Sequence, residues 1–142
     1  MEIFSTNSIH ILLLLGSFCS TMKVTLYDDS FRQPWTDFLE GATNGTLLHH
    51  RDFIDYHKHR FTDSSLIFSN NGKIIGLLPA NISNGALNSH GGLTYGGLVV
   101  KPSTRSALVM EIFERIITYC QNKGISTFHY SPVPTFLQTS PF

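Results

Sequence analysis

The sequence predicts a single mixed α/β domain in which helices pack on a mixed sheet, and three observations predict it. The 142 residues suffice for one hydrophobic core and are too few for two ordinary domains. Short β-rich runs flank the turn Asn70-Asn71-Gly72, as in a hairpin. A glycine-rich, strand-like stretch over 89–100 then feeds an amphipathic helix over 104–123 and a further β-rich run over 125–130. That succession is the pattern of a crossover between parallel strands.

The elements follow in order. Residues 23–27 alternate and are β-branched enough for a short strand. Asp28, Asp29 and Ser30 supply capping groups for a helix over 31–42, where Phe31, Trp35, Phe38 and Leu39 recur at helical spacing and Pro34 sits in the first turn. Asn44-Gly45 ends it, and a second helix is expected over 50–60. Residues 65–68 and 73–78 read as paired strands, with a bulge or an edge expected at Pro79, and Asn84-Gly85 marks another reversal. Leu108, Ile112, Ile116 and Tyr119 form one apolar row of the long helix, and Val109, Phe113, Ile117 and Cys120 the adjoining one. Ser103 or Thr104 is expected to cap its start and Gly124 to stop it. The order is strand, two helices, three or four antiparallel strands, helix and strand, with 93–100 and 125–130 parallel.

Formal charge is zero with His neutral, so nothing suggests a polyanion-binding surface and no nucleic-acid partner is expected. The two cysteines, Cys19 and Cys120, form no metal spacing and no disulfide framework, which fits a reducing, cytoplasmic compartment. Residues 1–21 differ from the rest. The apolar run over 9–15 is too short to span a bilayer, so no integral membrane segment is expected. Its leading part holds Glu2 and no Lys or Arg, and Phe18 precedes Cys19. Met22-Lys23-Val24-Thr25 reads like the natural opening of a soluble protein, which makes 1–21 an upstream extension from a misplaced start. The alternative is a secretory signal, under which Asn44-Gly45-Thr46 and Asn81-Ile82-Ser83 would be glycosylation acceptors.

Chemistry concentrates after residue 88. The glycines of Ser89-His90-Gly91-Gly92-Leu93-Thr94-Tyr95-Gly96-Gly97 leave backbone bare, so either a ligand or a second backbone can approach closely. Lys101-Pro102-Ser103-Thr104-Arg105 brings hydroxyls, cations and free amides to a helix start, where an anion such as a phosphate is favoured. The histidine-rich stretch over 49–59 has no i,i+4 histidine pair and reads as a solvated helix, so no metal is expected. Cys120 lies in an apolar row, where a thiol is inert packing, and no serine sits in a G-x-S-x-G elbow. His90 and His129 flank the candidate site strands, although a lone histidine at a strand end is more often structural.

The run from Ser89 to Val99 resembles the GNAT-type acyltransferases of the Fem-like branch, the aminoacyltransferases of peptidoglycan bridges and related bacterial N-acetyltransferases. Leu47-Leu48-His49-His50-Arg51-Asp52-Phe53, Leu77-Leu78-Pro79-Ala80-Asn81 and Tyr130-Ser131-Pro132-Val133-Pro134 add to the likeness, which spans about 23–134. The resemblance implies a GNAT-like fold in residues 22–142, incomplete at the C-terminus. It implies an acyl donor, acetyl-CoA or another, in a wedge between strands 93–100 and 125–130, its pyrophosphate near Ser103, Thr104 and Arg105 with Lys101 beside them. Peptide groups at Tyr95, Gly96 and Gly97 would hold the donor arm or acceptor, Tyr95 or His90 would handle the proton, and Thr94, His129 and Tyr130 would contact substrate. Transfer to an amine of a cell-envelope precursor or sugar nucleotide is the implied reaction, and no metal is involved. Two departures stand out. The glycine-rich pyrophosphate loop of ordinary CoA-dependent members is replaced by Lys101-Pro102-Ser103-Thr104-Arg105, and the chain stops soon after its last strand. Weak or absent activity and an open sheet edge suited to self-association are therefore expected. The competing readings are a non-catalytic pairing module and an inert gene fragment.

Overall fold

The computed structural model describes residues 21–137. The extension expected over 1–21 (all but its last residue), Cys19 and the tail over 138–142 lie outside the described residues. The first strand, β1, is Met22–Leu26. Asp28 then accepts the Ser30 N–H at 2.8 Å and opens a short 3₁₀ turn, which leads into α1 (Arg32–Glu40). A second such turn, Leu47–His49, precedes α2 (Arg51–Tyr56). The helix expected over 50–60 therefore stops early. Beyond Ile54 the sequence His57-Lys58-His59-Arg60 offers no buried face, and short helices persist only where packing supports them.

Strands β2 (Thr62–Asp63), β3 (Leu66–Asn70), β4 (Lys73–Leu78), β5 (Asn81–Ser83) and β6 (Ala86–Asn88) follow, then α3 (Ser106–Asn122) and β7 (Thr127–His129). They form two sheets, ordered β1-β3-β4 and β2-β5-β6-β7. All pairs are antiparallel except β6 with β7. The Ser64 N–H bonds the Ala80 carbonyl at 2.8 Å, carrying the pairing from one sheet to the other. Pro79 sits at that handover, where its missing N–H interrupts no ladder, and the bulge lies instead at Ile75, between Phe68↔Gly76 and Ser69↔Ile74. Both predicted reversals form, with positive φ at Asn71 and Gly72 and again at Asn84 and Gly85.

The central strands are buried on both faces, and alternation sorts their side chains into two layers. Leu66, Phe68, Leu78, Leu98 and Val100 pack with Ile112, Ile116 and Cys120 of α3. Ile67, Leu77 and Val99 pack with Trp35, Phe38 and Leu39 of α1 and Ile54 of α2. The result is helix, sheet, helix. Both sequons are buried in it, Asn44 at 4% and Asn81 at 0% exposure, so neither is available as a glycosylation acceptor in the folded chain.

The glycine-rich stretch is the main correction, because residues 89–98 are not a strand. Only Val99 makes a ladder contact, an antiparallel bridge to Leu77. His90, Gly92 and Gly97 all take positive φ, which a strand excludes. The parallel neighbour of the last strand is consequently β6, at 86–88, rather than 93–100. The two segments still meet, through the Gly96 N–H to the Ser131 carbonyl at 3.0 Å.

Candidate functional site

At the start of α3 the structure gathers four residues singled out from sequence. Lys101, Ser103, Thr104 and Arg105 line one cavity of about 330 Å³ with Phe38, Ile74, Ile75 and Leu108. The Thr104 N–H closes a turn on the Lys101 carbonyl at 3.0 Å, which delivers the chain to the helix. The cap residue is Arg105, and no side chain caps the helix, so neither Ser103 nor Thr104 plays the expected capping part. An uncapped helix start presents first-turn amides and the positive end of the dipole. Lys101 adds its ammonium, 5.3 Å from the centre of the Phe38 ring. Cations and hydroxyls on one side and aliphatic and aromatic walls on the other suit an anion carrying an apolar body.

The remaining candidates lie behind this helix. Gly96 and Gly97 are buried, and their bareness serves the chain's own packing: a Cβ on Gly96 would lie 2.2 Å from the Ser89 carbonyl oxygen, and one on Gly97 3.0 Å from Pro132 Cα. Both Gly96 backbone groups are engaged, the N–H by Ser131 and the carbonyl by His49. Thr94 is exposed and Tyr95 half-buried, its ring 6.4 Å from that of His49. His129 has an exposed side chain, and its carbonyl accepts the Ser89 N–H at 2.9 Å. Tyr130 accepts the Leu98 N–H on its hydroxyl at 3.1 Å. That leaves the phenolic proton near a second cavity of about 260 Å³, lined in part by Asn44, Leu98, Phe113 and Tyr130. His90 is buried at 5% exposure with Nδ1 unpartnered, and burial pushes its pKa below the usual range although Asp63 opposes this.

Three buried polar residues that the sequence analysis did not name as site residues make the main polar links here and on the neighbouring α2. Fully buried His49 receives the Thr46 N–H on Nδ1 at 3.1 Å, so its proton sits on Nε2, which donates to the Gly96 carbonyl at 2.8 Å. Burial lowers its pKa to about 4 and keeps it neutral at pH 7. Asn44 bridges the Leu98 carbonyl (2.7 Å) and the Val100 N–H (3.1 Å), replacing a neighbouring strand. Arg51 stacks 3.6 Å from the Tyr27 ring centre and pairs with Asp55 and Asp63, both at 2.7 Å. Only the Arg51–Asp55 pair, at i,i+4, left a sequence signal. Thr46 is local to His49, but its other partner, Gly96, and both partners of Asn44 are about fifty positions away and leave none.

Among the described residues no cluster of three or more His, Cys, Asp or Glu could hold a metal ion, and no helix is long and apolar enough to cross a membrane.

No protein-family model and no curated protein matches this sequence. Solved structures do match in fold. The ribosomal-protein-S18-alanine N-acetyltransferase from Escherichia coli superposes with a TM-score of 0.55 at 13% identity, over 75% of this chain and 64% of that one. The aminoglycoside N-acetyltransferase AAC(6')-Iy, solved in complex with CoA, gives a TM-score of 0.50 at 18% identity, over 80% of this chain and 78% of that one. The chain thus spans less than two thirds of the first neighbour's length. At such identities the fold is what is shared. The architecture is that of the GNAT N-acetyltransferases.

Proposed function

We propose that this chain is an N-acyltransferase domain that binds an acyl-CoA-type thioester and transfers its acyl group to an amine. One observation carries the reading. Within a GNAT-like fold, Lys101, Ser103, Thr104 and Arg105 converge on a cavity at the uncapped start of a 17-residue helix. A pyrophosphate there meets first-turn amides and two cations, and charge-assisted bonds of this kind are the strong ones. The family resemblance puts the thioester end at residues 94–98 and 129–130, none of which lines that cavity. Tyr95 and His90 are the proton-handling candidates, and Thr94, His129 and Tyr130 border the path of the substrate.

The finer reading places the chain in the Fem-like branch, with an amine of a cell-envelope precursor or sugar nucleotide as acceptor. Its support is the ordered set of sequence pieces from Leu47 to Pro134. A cytoplasmic location rests on the two cysteines, Cys19 and Cys120, forming no disulfide framework in sequence. Incubating the purified chain with acetyl-CoA and a panel of amino sugars and aminoacyl amides tests the function. The reading predicts acceptor-dependent release of CoA thiol above the protein-free blank. Thiol release that no acceptor increases contradicts it.

A second reading, a pairing module, is favoured by one feature. Among the described residues β7 has a single sheet neighbour, and Phe136 and Leu137 nearby in sequence are exposed. Solution mass that rises with concentration supports it, and a constant monomer mass counts against it.

A further inference from the structure

A pyrophosphate leaves one wall of the cavity at the start of α3 unused. Phe38, Ile74, Ile75 and Leu108 line that cavity together with Lys101 and Arg105. The wall is bare because β4 is only half covered. Besides its ladder with β3, its one pairing among the described residues is the bridge from Leu77 to Val99, after which the chain leaves through Lys101 for α3. The first half of β4 therefore has no strand on that side. Beside the bulge, Ile74 packs with the α1 cluster and Ile75 with the α3 cluster, and both line the cavity.

The apolar floor continues past Ile74, which also lines a second cavity of about 350 Å³ with Phe31 and Ile67. Phe31 and Phe38 are two helical turns apart, roughly 10 Å, so one face of α1 borders both cavities. The far end is polar. The register sets Lys23 beside Ser69 and Ser69 beside Ile74, and all three line the second cavity. At the near end, Lys101 and Arg105 have no carboxylate partner among the described residues, where the ion pairs are those of Arg32 and Arg51. The Lys101 ammonium lies 5.3 Å from the centre of the Phe38 ring, against the apolar wall. Two unpaired cations at the head of an apolar floor suit an anion joined directly to a hydrocarbon chain.

We propose that this groove binds a single-chain anionic lipid, a medium-chain fatty acid or alkyl phosphate, with its head on Lys101 and Arg105 and its tail along Ile75, Ile74 and Phe31. This binding goes beyond the acyl-donor reading and stands without it. CoA carries no hydrocarbon tail beside its phosphates, so the lipid competes with the donor for the two cations and does not replace it in the reaction. The groove also sets a length. A tail of about ten carbons covers the apolar floor, and a longer one runs into Lys23 and Ser69.

Calorimetric titration of the full chain tests this with decyl phosphate, decanoate, butyl phosphate and decyltrimethylammonium, each below its micelle-forming concentration. Each fully buried methylene is worth roughly fourfold in affinity. Decyl phosphate should therefore bind one-to-one and at least about tenfold more tightly than butyl phosphate, even in an open groove. Decyltrimethylammonium, with the same tail and a cationic head, should not bind. The tighter of decyl phosphate and decanoate identifies the head as phosphate or carboxylate. Lys101→Ala with Arg105→Ala should weaken decyl phosphate about tenfold, and Ile74→Asp should erase its advantage over butyl phosphate. If Ile74→Asp fails to fold, the comparison of tails on the wild type carries the same conclusion. Equal affinity for the decyl and butyl phosphates, or equal affinity for the cationic and anionic decyl probes, overturns the groove. CoA and decyl phosphate should exclude each other, and simultaneous binding overturns the shared head site. CoA binding without lipid binding sinks this groove alone, whereas lipid binding without CoA binding supports the groove and sinks the donor reading.

Discussion

His49 carries a charge-neutral link between the turn at Thr46 and the carbonyl of Gly96, and that link makes stability depend on pH. Its pKa is about 4 in the folded chain, against 6.5 when exposed. Between those values the unfolded chain binds more protons, so stability is full above pH 6.5 and falls as the pH drops towards 4. The loss approaches about 3 kcal/mol from this group, and burial of His90 acts in the same direction. Thermal melts from pH 7.5 to 4 should show the decline, and His49→Gln, which removes the titrating group, should flatten it. An equal slope in that variant would remove His49 from the account. Gly96 offers a steric counterpart. Gly96→Ala puts a methyl 2.2 Å from the backbone oxygen of Ser89, and should cost about 3 kcal/mol or more in urea unfolding. From sequence, the choice between ligand approach and packing at the paired glycines stayed open, because both demand a missing side chain. Only the third dimension shows Ser89 and Pro132 filling the space.

At the scale of elements, what carries a period was readable. Trp35, Phe38 and Leu39 of α1 and Ile112, Ile116 and Cys120 of α3 are the buried residues of their helices, as the 3.6-residue spacing predicts. Both Asn-Gly reversals form for the same local reason. The segment before α3 misled because Leu98, Val99 and Val100 have strand composition but lack a strand on one side. Asn44 stands in for it, and no local pattern announces a side chain that pairs across more than fifty positions. Asn44→Ala leaves the Leu98 carbonyl and the Val100 N–H without their partner. It should cost about 2–4 kcal/mol by chemical denaturation, and a loss under about 0.5 kcal/mol would show that the bridge is dispensable. The anion site fared better, since a helix start with cations beside it is a local feature. Lys101, Ser103, Thr104 and Arg105 do line one cavity there, while the cap is Arg105 rather than Ser103 or Thr104.

For the molecule as a whole, strand and helix order was enough to anticipate a mixed α/β layer fold, the resemblance carried by residues 89–99 implied a GNAT-like one, and the shared fold of two N-acetyltransferases agrees with it. What joins the two sheets, the handover at Ser64 and Ala80 and the parallel pairing of β6 with β7, depends on long-range register that periodicity does not encode. The fold places the cavity at Lys101 and Arg105 on one side of the start of α3 and the buried histidines behind Gly96. On the proposed reading, donor binding is separable from acceptor chemistry, and the first can be measured without the second. The direct measurement is calorimetric titration of CoA into the purified chain and into the Lys101→Ala, Arg105→Ala double variant. Saturable one-to-one binding to the wild type, weakened about tenfold or more in the variant, is the predicted result. Equal affinity in the two proteins, or no binding to either, would contradict an acyl-CoA donor at the start of α3.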